Sequence, residues 1–151
     1  MISTKGRYAL VMMVDLAEQD GDLPVCIREI SERQGISLKY LEQIVSILTR
    51  AGLVTSTRGA MGGYRIAMPA DQITVGMILR ATEGDMVPAE CVYAETGCER
   101  NGACPSQLLF RRVYSAINEV IDHVTLQSLV YEERNGCCRR IQETDAPRSV
   151  T

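Results

Sequence analysis

Read for the spacing of its apolar side chains, the first half of the chain falls into short helices separated by turn signals. Ser3 or Thr4 is placed to cap a helix running to about Glu18, with Tyr8, Val11, Met12, Asp15 and Leu16 following at helical spacing. Gly21 and Pro24 end it. A short helix over Ile27–Gln34 stops at Gly35, a residue suited to a C-terminal cap. Ser37 caps a third helix, Leu38–Arg50, on which Leu41, Ile44, Val45 and Leu48 form one apolar stripe. The opposite face shows Lys39, Tyr40, Glu42, Gln43, Ser46 and Arg50, and Gly52 terminates the helix. Two short strands, 53–57 and 64–67, then flank Arg58-Gly-Ala-Met-Gly-Gly63.

A short helix, a tight glycine-containing turn and an amphipathic second helix make a helix-turn-helix pattern. Such a pair often only packs a core. The hairpin directly behind it reads as a wing, and the two together point to a winged helix-turn-helix. Glycines Gly59, Gly62 and Gly63 let the backbone approach a phosphate chain or enter a minor groove, and Arg58 supplies a cation.

In the second half, Thr74 caps a helix carrying Val75, Ile78 and Leu79 and ending at Gly84. Periodicity is then lost until Ser106 opens the longest helix. There Phe110, Val113, Ile117, Val120 and Val124 alternate spacings of three and four, a heptad seam suited to another helix at a shallow crossing angle. Because the first half has apolar stripes enough for its own core, this seam is expected to meet a second copy. Thr125 caps one more short helix over 126–131, and the polar remainder is expected to fray. The expected fold is therefore mainly α with a small β-hairpin. Residues 1–84 form a winged helix-turn-helix domain, 85–105 a loop, 106–131 a dimerisation helix with a short helix, and 132–151 a flexible tail.

The loop carries the candidate chemistry. Cys91, Cys98 and Cys104 fall within fourteen residues, separated by six and then five others, and Gly97, Gly102 and Pro105 keep the segment irregular. Thiolates gathered this way suit a soft metal, either zinc or an iron–sulfur cluster. Structural zinc sites bring cysteines only two to four residues apart, and a cluster with two irons tolerates wider spacing. The spacing leans to iron–sulfur; three reduced surface thiols are the competing reading. Cys26 reads as a small buried hydrophobe, and Cys137-Cys138 in the polar tail receive no role.

Composition and charge narrow the classes. The 151 residues are 46% hydrophobic, and no apolar run approaches the roughly 18 residues of a membrane span. The opening Met-Ile-Ser-Thr-Lys-Gly-Arg has no apolar signal segment behind it, so a cytoplasmic protein without a membrane partner is expected, its thiols reduced. Net charge is −3, which divides unevenly: residues 1–68 carry eight Lys/Arg against seven Asp/Glu, and 69–151 eight against twelve. A thiol-redox enzyme would want a C-x-x-C pair or a cysteine with a basic partner. The chain has no such pair and a single distant histidine, His123, so no enzyme is expected.

Ile30-Ser-Glu-Arg-Gln-Gly-Ile-Ser-Leu-Lys-Tyr-Leu-Glu-Gln43, Ala51-Gly-Leu-Val54, Arg58-Gly-Ala-Met-Gly-Gly-Tyr64 and the opening Ser3-Thr-Lys-Gly-Arg-Tyr8 together resemble a bacterial winged helix-turn-helix regulator family, the one that includes IscR, NsrR and CymR. The likeness runs to about residue 131. It implies a homodimeric transcription regulator, often a repressor, that lays its third helix in the major groove of a double-stranded operator and its wing in the adjacent minor groove. Carried over by position, Ser37, Lys39, Tyr40, Glu42 and Gln43 meet bases or phosphates, and Arg58 enters the minor groove with Gly59, Gly62 and Gly63 beneath it. Gln43 reads adenine through paired hydrogen bonds; Glu42 accepts from cytosine while repelling phosphate, a specificity gate. Two positions depart from the family: Lys39 replaces a usual serine, and Ala60-Met61 replaces Pro-Gly at the wing tip.

The resemblance to IscR further implies a 2Fe–2S cluster on Cys91, Cys98 and Cys104, delivered by the iron–sulfur assembly machinery, and control of iron–sulfur assembly genes. The usual fourth ligand, a histidine three residues past the last cysteine, is Gln107 here, and an amide oxygen is a poor iron ligand. Glu90, Glu95, Glu99, a partner-chain group or an external thiol are alternatives, while His123 lies about 24 Å along the helix. An NsrR-like chain would sense nitric oxide, and a CymR-like chain would hold no cluster and repress cysteine metabolism.

Overall fold

The computed structural model describes residues 2–19, 21, 23–88, 92 and 104–136. Cys91, Cys98, Glu90, Glu95, Glu99 and the Cys137-Cys138 pair lie outside them. In chain order the elements are α1 (Thr4–Glu18), α2 (Ile27–Gln34), α3 (Leu38–Arg50), β1 (Val54–Thr57), β2 (Gly63–Ile66), α4 (Val75–Glu83), α5 (Pro105–His123) and α6 (Leu126–Arg134). The architecture is the expected one, mainly helical with one antiparallel hairpin.

Helix α1 is the hub. It packs against α2, α3, α4, α6 and β2, so its middle is buried all round, and Met12, Met13 and Leu16 are 0–1% exposed. A side chain buried to that degree contributes about 1.5–3 kcal/mol. Asp15 sits in this apolar stretch at 2% exposure and is held there by α2. Arg33 grips its carboxylate as a fork, Nη2 at 2.6 Å and Nε at 3.1 Å, while Gln34 Nε2 donates at 2.8 Å. The bond to Asp15 raises the Arg33 pKa above its usual value.

The start of α1 is fixed from α4. The Ser3 hydroxyl accepts from Lys5 N and Gly6 N and itself donates to Glu83, whose Oε1 also takes Gly6 N at 2.9 Å. A carboxylate here complements the helix dipole. A Cβ on Gly6 would stand 2.6 Å from Glu83 Oε1, so a side chain there would displace the carboxylate from this cap.

The reading head follows the expected pattern. Gly35 caps α2 at φ 63°, and Ser31 Oγ donates to Ile36 O at 2.6 Å across the turn. Helix α3 buries Leu41, Ile44, Val45 and Leu48. Ser37 departs from expectation: its carbonyl starts the helix by accepting from Tyr40 N and Leu41 N, but its hydroxyl makes no capping bond. The hairpin pairs Val54 with Ile66 and Thr57 with Gly63, and Val25 adds a bridge to Tyr64 on the outer edge of β2. That bridge corrects the expectation for Cys26. In this extended segment side chains alternate, Val25 is buried, and Cys26 at the N-cap of α2 is exposed.

Two further boundaries differ, and so does the α5 seam. Helix α5 starts at Pro105, not Ser106, because proline's fixed φ and missing N–H suit a first helical position. Helix α6 runs on to Arg134, beyond the expected 131, so the supposed tail begins as ordered helix. Arg134 Nη2 reaches Glu18 O at 3.3 Å, and Asn135-Gly136, with φ 67° at the glycine, supplies the stop. The α5 seam is also shifted. Ile117 and Val124 pack with Ile121 against Val75 and Leu79 of the same chain. The face left open is Leu109, Val113, Ala116 and Val120, with Leu109 at 58% and Val120 at 62% exposure.

Helix α5 is tied to α4 by Arg80, which donates to Asp122 at 2.7 and 2.8 Å and to Asn118 at 2.8 Å. The guanidinium holds Asp122 below the usual carboxylate range. Gly76 makes room, since a Cβ there would lie 2.1 Å from Asp122 Oδ1. Val124 O, Ile73 O and Ala70 O accept from Val75, Leu126 and Gln127, which knits the α5–α6 corner to the segment before α4.

Arg33→Ala would leave the Asp15 carboxylate in an apolar setting with only Gln34. Removing one partner of a buried pair costs about 3–5 kcal/mol. Arg33 is 37% exposed, so solvent screening lowers the expected loss to about 2 kcal/mol. Urea denaturation measures it, and Asp15→Asn should recover part of the loss.

Candidate nucleic-acid interface and cysteine centre

The exposed side of α3 gathers Lys39, Glu42, Gln43, Ser46 and Arg50 around a shallow hollow, with Ile47 half-buried in its floor. Their spacings of three and four put them on one face of the helix. Ser37 is exposed at the same helix's N-terminal end. Ser46 and Arg50 continue the face that Lys39, Glu42 and Gln43 begin. The helical repeat carried that signal in the sequence, although these two were not placed among the contact residues.

Tyr40 behaves differently from its polar neighbours. It is half-buried, and its ring meets Tyr8 of α1 edge-on, with centroids 5.7 Å apart at 86°. Arg7 stands 6.0 Å from the Tyr8 ring centre. The ring is thus part of the packing that seats α3 on α1, a second role beside the groove contact expected of Tyr40. Aromatic pairs of this geometry add about 0.5–1.5 kcal/mol beyond burial.

In the wing, Arg58, Gly59 and Ala60 are exposed, and Met61 at the tip is 73% exposed. The three glycines have separate reasons. Gly59 takes φ 112°, a conformation closed to most side chains. Gly62 has no room, its Cβ position being 2.3 Å from Thr57 O. Gly63 is pressed against Val25, where a Cβ would lie 2.4 Å from the carbonyl oxygen. Packing within the hairpin accounts for Gly62, and the bridge to Val25 accounts for Gly63.

Of the cysteine trio the described residues include Cys104, which is partly exposed and forms the N-cap of α5. Its Sγ lies 2.9 Å from Ser106 Oγ. Val92, beside Cys91 in sequence, is buried at 7% exposure. Gln107 lies one turn along α5 at 4% exposure. His123 is exposed at the far end, its Nδ1 2.6 Å from Glu119 O. Among the described residues no three His, Cys, Asp or Glu converge, and the other two loop cysteines fall outside them.

The sequence model of Rrf2, described as an iron-dependent transcriptional regulator, matches residues 2–132. The chain belongs to the Rrf2 family. It is 40% identical over 131 residues to the HTH-type transcriptional regulator IscR of Aliivibrio salmonicida, covering 87% of this chain and 77% of that protein. It is 42% identical over 128 residues to CymR of Bacillus subtilis, covering 85% and 88%. The solved structure of CymR, the global cysteine regulator of B. subtilis, superposes with a TM-score of 0.72 at 41% identity, covering 87% of this chain and 96% of that one. IscR of T. potens gives 0.72 at 37%, with 88% of each chain covered. This Rrf2 chain is a transcriptional regulator with a winged helix-turn-helix, and its IscR and CymR relatives stand level. Among its described residues no helix is long and apolar enough to cross a membrane.

The Tyr8–Tyr40 contact gives a direct test of what Tyr40 does. Tyr40→Phe keeps the ring and should leave the midpoint of urea unfolding unchanged. Tyr40→Ala should lower stability by about 2–4 kcal/mol, the cost of truncating a half-buried aromatic.

Proposed function

We propose that this Rrf2 regulator is a homodimer whose operator affinity follows the state of a 2Fe–2S cluster held by Cys91, Cys98 and Cys104. The observation that carries the reading is where the cysteine loop ends. Cys104 is the N-cap of α5; Arg80 clamps α5 to α4; Glu83 of α4 caps α1; and α1 seats the reading helix. A change in the loop therefore acts on an unbroken chain of packed elements. When bound, the cluster supplies an iron- and redox-sensitive link between the two ends of the loop. Gln107 takes the fourth position weakly, which leaves the centre labile and suited to reporting iron–sulfur supply. The genes controlled are those of cluster assembly.

Ser37, Lys39, Glu42 and Gln43 face the major groove, Gln43 reading adenine and Glu42 gating by its charge. Arg58 enters the minor groove, and Gly59, Gly62 and Gly63 keep the wing backbone close to phosphate. The copies meet along Leu109, Val113, Ala116 and Val120 of α5, a heptad run that is exposed in the single chain.

The level similarity to CymR supports a second reading, in which the three thiols remain unmetallated and the protein represses cysteine-metabolism genes. Anaerobic purification followed by iron and sulfide assay separates the two. About two irons and two sulfides per chain are expected for a 2Fe–2S centre, lost on Cys91→Ser, Cys98→Ser or Cys104→Ser. Gln107→His should lengthen the cluster's lifetime in air. Protein that carries no iron under these conditions supports the CymR-like reading instead.

Operator binding makes a further check. Arg58→Ala should weaken all duplexes evenly and reduce the slope of log affinity against log salt by about one. Gln43→Ala should cost about 1–3 kcal/mol on the operator alone. Unchanged salt dependence in Arg58→Ala would remove the wing from the interface.

A further inference from the structure

The wing carries one large apolar side chain that nothing in its own chain covers. Met61 is 73% exposed, and its neighbours Thr57, Arg58, Gly59 and Ala60 are exposed but small, polar or charged. The other large apolar residues of the hairpin turn inward: Val54 is buried, and Tyr64 and Ile66 pack against the core. Among the described residues of the wing, Met61 alone is left to solvent in this way.

Its position is set by hydrogen bonds at both ends of the hairpin. Gly62 N donates to Gly59 O at 3.0 Å, which closes a turn with Ala60 and Met61 at its apex. Gly59 enters that turn at φ 112°, and Gly62 leaves it with no room for a Cβ. At the base, Val25 and Tyr64 exchange backbone bonds of 2.9 and 2.8 Å, and Arg65 donates to Gly21 O. Met61 is therefore held at the tip before any partner arrives, which lowers the ordering cost of binding.

We propose that Met61 is a wedge that enters the minor groove beside Arg58 and inserts between two base pairs, opening that step. The inference rests on the minor-groove reading of the wing above and adds to it a residue that reads how easily the duplex deforms. Proteins that open a base step from the minor groove do so with apolar side chains such as Met or Leu. That groove is only about 6 Å wide, and an unbranched thioether is slim enough to reach its floor. The cation and hydroxyl next to Met61 suit the phosphates that border the groove. A protein partner would call for a contiguous apolar patch, which the wing does not have. Pyrimidine–purine steps unstack most easily. Met61 thus selects such a step in the groove where hydrogen-bond readout is degenerate.

Fluorescence on the full-length protein tests this, using the duplex that the wild type enriches from a random-sequence pool. 2-Aminopurine, which brightens on leaving the base stack, replaces each adenine of that duplex in turn. Wild-type protein should brighten one step. Met61→Ala, at an exposed position, should keep the circular dichroism and lose that signal. It should also bind the duplex about tenfold more weakly, because the apolar contact with the bases is gone. Met61→Leu should restore both signal and affinity. The dependence of affinity on salt should be the same in all three, since a thioether displaces no counterion. A duplex with no brightened step, brightening that persists in Met61→Ala, or equal affinity of that variant and the wild type would overturn the wedge. Arg58→Ala then tells the two readings apart. A reduced salt slope in that variant leaves the wing in the minor groove without a wedge, and an unchanged slope overturns the groove reading as well.

Discussion

A buried carboxylate inside the most buried helix sets the terms for the rest of the molecule. Asp15 lies at 2% exposure among Met12, Met13 and Leu16, where an unpaired charge would be strongly unfavourable. Only the fork from Arg33 and the amide of Gln34 make its position tolerable. Both come from the last turn of α2, so the register of α2 against α1 is fixed by geometry as well as by apolar packing. The turn at Gly35 then directs α3, and Tyr8 receives Tyr40 at its far edge. The N-terminal end of the reading helix is thus set by polar contacts through α2 and by an aromatic contact on its own first turn.

Helix α4 extends this arrangement toward the cysteine loop. Its C-terminal Glu83 caps α1, and its Arg80 holds Asp122 and Asn118 of α5 across a gap kept open by Gly76. The backbone bonds that join Ala70, Ile73 and Val75 to the α5–α6 corner make the junction stiff. Cys104 at the head of α5 is therefore linked to the reading head through Arg80, Glu83 and α1.

Much of this was legible in the sequence because it is local. Helical spacing found α1, α3, α4 and α5, and glycines at 35, 52 and 84 marked the ends of α2, α3 and α4. What the sequence did not disclose depends on distant partners. Asp15 read as one more position of a helical face, and nothing nearby named Arg33 as its counter-ion. The three–four spacing of α5 was equally compatible with Ile117 facing its own chain or a second one, and the packing of Val75 and Leu79 decided it. Cys26 looked buried because its neighbours are apolar; the bridge from Val25 to Tyr64 turns it outward. Tyr40 was read from the polar side of α3, whereas the ring that receives it lies 32 residues earlier in the chain.

Membership in the Rrf2 family makes the chain a transcriptional regulator, and its IscR and CymR relatives stand level. The physical claim is that loop chemistry at the head of α5 is transmitted through α4 and α1 to the exposed face of α3. Titrating one operator duplex with the same preparation, before and after anaerobic chelation removes its iron, measures that transmission directly. The account predicts at least a fivefold change in affinity, on the order of 1 kcal/mol of coupling, at constant salt. Iron-loaded and stripped protein binding with equal affinity would contradict it.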